Sequence, residues 1–453
     1  MFAPLKRILN LVLDKNNDSL TKQIVHGSGY QFAANVVSRL GGLVFTIIVA
    51  RILLPELFGL YNLSLSLILT VGTFADLGIN TALSRYLSYS MSKKRGNVKE
   101  PRSRLRFLLN LKMIFALFIS VIFFLLAPII ANSIFSRPEM VPIIRIGALY
   151  ILAISIQGFL STVFYPLKKV QHNLIGEIIF QAARILIFLL LTYTYMKTTT
   201  VFWALLIAYL ISALYYLLIL ATKHRRLLFG KTMPIPKKSM TIFLGWAIVL
   251  NSALMLFTHI DIFMLGLFVK DEFIGYYSAL SSLIMSIMAL VVFGSVFTPI
   301  FTEIRDVYRL KRAFKKIMKL STIISIPITI FLFIFLIPLT RLVYGSNYLP
   351  SQYLTPIVIS SILLSFLLIE GIFTNVFSSF FTSKEKLKIP ATLLIMMIIL
   401  NFGLDYVFIK LALPFGSQWV LVAVSAATVL VRYINLFILI AFVKKEFRLL
   451  SKK

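Results

Sequence analysis

Apolar runs of 20 residues or more, separated by short polar breaks, recur from end to end of the chain. About 20 mostly apolar residues cover the ~30 Å of hydrocarbon in a bilayer as a helix. Twelve segments meet that length, at 28–53, 57–90, 107–132, 141–166, 174–196, 200–222, 241–269, 274–303, 317–343, 352–382, 390–412 and 417–443. Lys197-Thr198-Thr199-Thr200 divides the fifth from the sixth. The pattern predicts an all-α polytopic membrane protein.

The charges between these runs orient them. With both termini inside, the six outer loops hold one cation each, namely Arg51, Arg137, Lys197, Lys270, Arg341 and Lys410. The remaining Lys and Arg outside the spans all fall on the inner side, which cytoplasmic loops favour. Residues 1–27 then form a cytoplasmic segment, with an interfacial helix over 1–20. Ile8–Leu13 is too short and too interrupted for a cleavable signal sequence. Six spans fill 28–222, a basic linker covers 223–240, six more spans fill 241–443, and 444–453 is a basic tail.

An ungapped shift of 216 residues aligns Gly29 with Gly245, Asn35 with Asn251, and Glu56 with Glu272. It also aligns Gly59 with Gly275, Tyr61 with Tyr277, and Gly78 with Gly294. Hydrophobicity alone does not align Gly, Asn and Glu. Six spans separate the copies, an even number, so both halves enter the membrane in the same direction. Two parallel six-helix lobes with a site between them are a transporter plan. The matched turns, 55–61 and 271–277, are expected to meet as an outer gate when the cavity faces inward. Cysteines at 59 and 275 are then expected to crosslink or to trap one state.

Composition narrows the classes. The chain of 453 residues is 59% hydrophobic, with a mean hydropathy of +0.93, above the soluble range. A net charge of +30 suits nucleic acid only if a soluble basic domain exists, and no stretch is long enough for one. There is no Cys, hence no thiolate site. His26, His172, His224 and His259 show no metal-ligand spacing. No cofactor motif and no G-x-x-x-x-G-K-[ST] loop is present, so ATP does not drive the chain directly.

Ala50-Arg51-x-Leu53-x-Pro55-x-x-Phe58-Gly59-x-Tyr61 and Ala75-Asp76-Leu77-Gly78 resemble the start of the polysaccharide-transporter (Wzx-type flippase) family. That family shares a superfamily with multidrug and toxin exporters and the lipid II flippase. Asp261-x-x-Met264-Leu265-Gly266, Gly275-x-Tyr277-x-Ala279 and Tyr344-Gly345-Ser346-x-Tyr348 resemble its later motifs. Leu54 departs from the Gly usual before that Pro, which bears on the tightness of the first outer turn. The resemblance implies a V-shaped pair of lobes working by alternating access. Its implied substrate is a polyprenyl-pyrophosphate-linked glycan, carried from the cytoplasmic to the outer leaflet.

Charges retained within hydrocarbon are functional candidates, because each costs ~2.5–3.5 kcal/mol even on lenient scales. Arg39, Arg184 and Arg432 each lie 10 to 12 residues from the cytoplasmic end of their helix, ~15–18 Å deep at 1.5 Å per residue. Guanidinium forks onto phosphate oxygens, so the three are candidates for binding the pyrophosphate. Asn35, Gln181 and Asn435, on the same faces, are candidates for the sugar. The alternative for each Arg is a structural carboxylate partner, Glu177 above all for Arg184. Asp76, Asp261 and Glu370 are the candidates for coupling to H⁺ or Na⁺. Asp405 shares a face with Asn401. Membrane lipids complete the expected partners. A multidrug exporter of the same fold is the alternative function. A membrane polymerase or glycosyltransferase fits less well, since no sizeable loop carries acids.

Overall fold

A computed structural model of the protein describes residues 18–93, 99–194, 196–235, 237–291, 297, 301–302, 304, 306–384, 386 and 388–450. Most of the expected interfacial helix over 1–20, and Gly294 of the repeat, lie outside these residues. The described chain is helical almost throughout. Ten of its helical stretches are long and apolar enough to cross a membrane. The first of them, Gly29–Met91, is bent into two spans, and Asp271–Val291 adds another, so twelve spans result.

In chain order these are α1 (18–53), α2 (55–93), α3 (Lys99–Pro128, closing in a π-helical turn, Ile129–Ile134), α4 (Met140–Val163), α5 (Gln171–Thr194) and α6 (Thr198–Lys223). The second set is α7 (Lys237–Phe268), α8 (Asp271–Val291), α9 (Val307–Tyr344), α10 (354–383), α11 (Lys388–Ala412) and α12 (Ser417–Leu450). Helices α9 and α12 run beyond the predicted spans because their basic inner turns stay helical. Leu190, Ile334 and Ile399 are 70%, 63% and 69% exposed. That outer apolar surface suits hydrocarbon and no aqueous phase.

Helices α1–α6 pack into one lobe and α7–α12 into another, joined chiefly by α8 against α1 and α2, and by α7 against α2. The sharp α1–α2 turn carries Leu54 at φ 60°, ψ 172°, a region nearly restricted to Gly. The turn is therefore formed despite the missing glycine, at the expense of backbone strain. Leu54 is 45% exposed, so its side chain contributes little packing. Leu54→Gly should relieve ~1–3 kcal/mol of strain against ~0.5–1 kcal/mol of added chain entropy. A thermal melt of the purified protein should show Tm rise by about 2 °C; an unchanged or lower Tm would refute the strain.

The two lobes meet at the outer turns through glycine. A Cβ built on Gly59 would fall 1.8 Å from the Asp271 carbonyl oxygen, and one on Gly275 would fall 2.0 Å from that of Pro55. Adding 216 to Pro55 and Gly59 gives Asp271 and Gly275, so each contact is the image of the other. This is the self-complementary contact that a two-fold axis generates, and it gives the internal repeat its physical meaning. The turns meet as expected, but no side chain fits at either position, so of the two expected outcomes cysteines there would part the turns rather than crosslink.

Around the glycines this end of the bundle is closed by further contacts. Tyr348 donates to the Ala50 carbonyl at 2.8 Å, and Arg51 donates to the carbonyls of Leu342 and, at 2.7 Å, Val343. Phe58 stacks near Tyr61, Tyr344 and Tyr348, with centroids 5.8–6.3 Å apart. Arg137, between α3 and α4, reaches across to Asp271 at 2.5 Å and to the carbonyls of Gly266 and Val269 at 2.5 and 2.7 Å.

Candidate functional site

Glycines in α1 let α5 approach closely. A Cβ at Gly41 would lie 2.5 Å from Gln181 Oε1, and one at Gly42 lies 3.7 Å from Arg184 Nη2. Gln181 donates to Glu177 Oε1 at 2.6 Å and to the Ser38 carbonyl at 3.4 Å. Glu177 is thus engaged by a neutral amide, and it forms no ion pair with Arg184 among the described residues. The Arg184 guanidinium instead lies 4.5 Å over Phe45 and 5.0 Å over Phe180, an arrangement attractive through the ring quadrupoles. The Glu177 carboxylate is still close enough to act on it electrostatically, and Tyr61, Tyr150 and Tyr209 stand near it. Its Nε and Nη2 are buried with no hydrogen-bond partner. Buried donors left unmade cost about 1–3 kcal/mol each, so this guanidinium is poised for an acceptor that the protein does not supply.

The other two arginines stand apart from it. Arg39 is exposed on α1, without an ion pair or hydrogen bond among the described residues. Asn35, one turn earlier, is exposed and accepts from Gln31 at 3.1 Å. Arg432 on α12 is 3.7 Å from Glu370 Oε2 on α10 and lies 4.8 Å over Phe257 of α7. Glu370 is 2% exposed and also accepts from Thr374 at 2.6 Å. Asn435 is half-buried on the same helix. No direct contact joins the three arginines: Arg184 belongs to one lobe, Arg432 to the other, and only Arg432 has a carboxylate.

The acids also divide. Asp76 forms a salt bridge with Lys112 of α3, whose side chain is 1% exposed. Asp76, Thr73 and Asn251, with Thr258, line a cavity of about 290 Å³ between α2 and α7, at the junction of the lobes. Sequence reasoning passed over Lys112; the available signal was a lysine thirteen residues into a helix that begins at Lys99. Asp261 has no such cation bonded to it. It accepts from Tyr277 at 2.6 Å and from Asn401 at 3.1 Å, and the same Asn401 amide donates to Asp405 at 2.8 Å. Asp405 and Asn401 are 0% and 1% exposed. Asn401 Oδ1, Asp405 Oδ1 and Thr428 Oγ1 are buried without hydrogen-bond partners, and Thr428 lies beside Asp261.

Asp261 and Asp405 thus share one amide donor in a buried site, with the Arg432 guanidinium near enough to Asp261 to act on it electrostatically. The arrangement suits a proton, or a small hard ion held by oxygens alone. Tyr277 is the repeat partner of Tyr61 and lies two residues from Gly275, so this cluster touches the helix that carries one half of the glycine contact.

Comparison with solved structures places the fold. A multidrug-resistance MATE family transporter of the MOP superfamily, in its inward-facing conformation, superposes with a TM-score of 0.75 at 14% identity, covering 92% of this chain and 96% of that one. An outward-facing MATE family transporter of the same superfamily gives 0.60 at 14% identity, over 95% of this chain and 97% of that one. The lipid II flippase MurJ, inward closed, gives 0.71 at 18% identity over 94% of this chain and 90% of that one. A search of the curated proteins finds no match. The family model described as "Polysaccharide biosynthesis protein" matches residues 24–305. That stretch is more than half of this twelve-span membrane protein, which therefore belongs to the polysaccharide biosynthesis protein family.

Proposed function

We propose that the chain flips a polyprenyl-(pyro)phosphate-linked oligosaccharide from the cytoplasmic to the outer leaflet of a prokaryotic inner membrane, both termini being cytoplasmic. One observation carries this reading within the family: Arg184, a deep guanidinium with no ion pair among the described residues and with two buried unbonded nitrogens. A pyrophosphate supplies the oxygens that such a fork lacks. Arg39, exposed on the adjoining helix, adds charge along the entry route. Arg432, held by Glu370 in this state, becomes available when α10 and α12 shift. Asn35, Gln181 and Asn435 offer amides to sugar hydroxyls. The isoprenoid tail stays in lipid, because moving it through water is costly.

The driving ion acts at Asp261. Of the three candidate acids, Asp76 and Glu370 are ion-paired with Lys112 and Arg432, whereas Asp261, although within electrostatic reach of Arg432, forms no ion pair among the described residues and shares the Asn401 amide with Asp405. Uptake of H⁺ or Na⁺ there competes with the Tyr277 hydroxyl for Asp261 and so bears on α8 and the gate. A ligand shifts a conformational equilibrium only through such differential contacts.

The test is flipping of a fluorescent polyprenyl-pyrophosphate disaccharide in proteoliposomes. Losing two charge-assisted bonds at ~1.5–3 kcal/mol each, Arg184→Ala should slow flipping on the order of a hundredfold or more, with an unchanged gel-filtration profile. Arg184→Lys and Arg39→Lys should be impaired beyond what a conserved charge predicts, since Lys cannot fork. Full flipping by Arg184→Ala would defeat the reading. Transport of lipophilic cations with no flipping of the lipid would replace it with the multidrug one.

A further inference from the structure

The third and sixth helices of each lobe leave a cleft between them at the end marked by basic loops, and the two lobes treat that cleft differently. In the first lobe the chain leaves α6 at Lys223 and folds back through a short helical turn, Arg225–Leu228. Leu227 is 5% exposed beneath it. Arg102 of α3 donates to the carbonyls of Arg226, at 2.5 and 2.9 Å, and of Lys231, at 2.7 Å. Arg106 donates to that of Leu228, at 2.9 and 3.2 Å. Cations on α3 are thus matched by oxygen acceptors, and the apolar floor is covered by a leucine.

In the second lobe α12 runs straight on to Leu450 and no described segment folds back. The equivalent cleft is a cavity of about 430 Å³ in which Lys311 and Lys315 of α9 face Lys444 and Arg448 of α12. Its floor is aromatic: Phe314 lies 5.8 Å from Phe377 and 5.5 Å from Phe447, centroid to centroid. None of its described lining is acidic. Glu446, the nearest carboxylate in sequence, is taken by Lys386 at 2.6 and 2.7 Å. Beyond the cleft, α9 exposes Leu320 and Ile323, 52% and 58%, a surface facing hydrocarbon.

We propose that this cleft binds the phosphate headgroup of an anionic phospholipid, its first methylenes lying on the phenylalanines and its chains running along α9. The phosphate takes the place that the linker carbonyls hold in the other lobe, and the methylenes take that of Leu227. A basic recess between helices at a membrane surface gains about 1 kcal/mol per cation from an anionic headgroup, and the cavity is within the size range of small-molecule sites. The proposal is independent of the transported substrate.

The purified protein is incubated in detergent with phosphatidylglycerol, phosphatidylcholine, polyprenyl phosphate or glycerol phosphate, and bound molecules are counted by native mass spectrometry. Phosphatidylglycerol should be retained at one per chain, at least tenfold over phosphatidylcholine. The combined variant Lys311→Gln, Lys315→Gln and Lys444→Gln alters exposed side chains and should keep its melting profile. It should bind phosphatidylglycerol on the order of a hundredfold more weakly, while the corresponding Lys→Arg variant retains it. Equal retention of the two phospholipids, or undiminished binding by the Gln variant, would overturn the site. Glycerol phosphate binding as tightly would overturn the lipid assignment, and stronger retention of polyprenyl phosphate would reassign the cleft to a lipid-linked substrate.

Discussion

Gly59→Val leaves the outer gate unable to close, and transport falls to background. Even the first added carbon would sit 1.8 Å from the Asp271 carbonyl oxygen, little more than half of a van der Waals separation. The obstacle on both sides is backbone, so no rotamer relieves it and the turns themselves must separate by more than an ångström. Interdigitated packing does not stretch by such an amount; it is lost. A perturbation of ~5.5 kcal/mol suffices to move a two-state equilibrium from 1:99 to 99:1, and a backbone clash of this size exceeds ordinary overpacking costs of ~1–3 kcal/mol. The protein therefore remains open to the outside and cannot take up substrate from within. The chain has no native Cys, which makes the measurement direct. Ala50→Cys, fully buried behind the gate, should resist an impermeant maleimide in the parent and label rapidly beside Gly59→Val. Gly275→Val should reproduce the result, since its contact is the image of the first. Protection of position 50 together with normal transport would contradict the gate.

Asp261→Asn combined with Asp405→Asn should abolish the dependence of transport on an imposed ion gradient. Each residue loses the capacity to take up a proton or a cation yet keeps its shape; the single oxygen left at 261 can accept from Tyr277 or from Asn401, and the one at 405 can accept from Asn401. Flipping in proteoliposomes is followed with an inward- or outward-directed pH gradient, or a Na⁺ gradient, imposed in turn. The parent should respond at least tenfold to one of them and the double variant to neither, with residual flipping that only equilibrates the leaflets. Undiminished stimulation in the double variant would remove Asp261 and Asp405 from the coupling path. Asp76→Asn, by contrast, strands Lys112 in a buried position, and destabilises the protein at either gradient.

The spans and the gate were legible because both depend on local signals. Apolar runs of membrane length set the helices, and the 216-residue shift paired Gly59 with Gly275 before any contact was visible. Arg184 was legible as a charge out of place in hydrocarbon. What it lacks was not: Glu177 lies on its own face, yet takes its hydrogen bond from Gln181 of the same helix, and helical spacing does not say which of two neighbours a carboxylate engages. Partners on other helices were invisible for the same reason. Arg432 meets Glu370, 62 positions away, and Asp261 meets Asn401, 140 positions away, through packing that no single helix's periodicity encodes. Tyr277 stood out in the sequence as the repeat partner of Tyr61, but its hydrogen bond to Asp261 crosses between two helices and is not encoded in either one's spacing.

The mirrored glycine contact bears on the ancestry of the fold. A contact in which each turn receives the other's carbonyl is one that two identical six-helix chains would make on meeting, with no surface invented for the purpose. Six spans return a chain to the side from which it started, so two such copies insert alike and dimerise in register. Fusion then requires only a tether, and the stretch 224–235, lying along the first lobe, supplies it while fixing the stoichiometry at one to one. Once tethered, the halves are free to diverge wherever they do not touch: an arginine without a carboxylate in one, a pair of acids sharing an amide in the other.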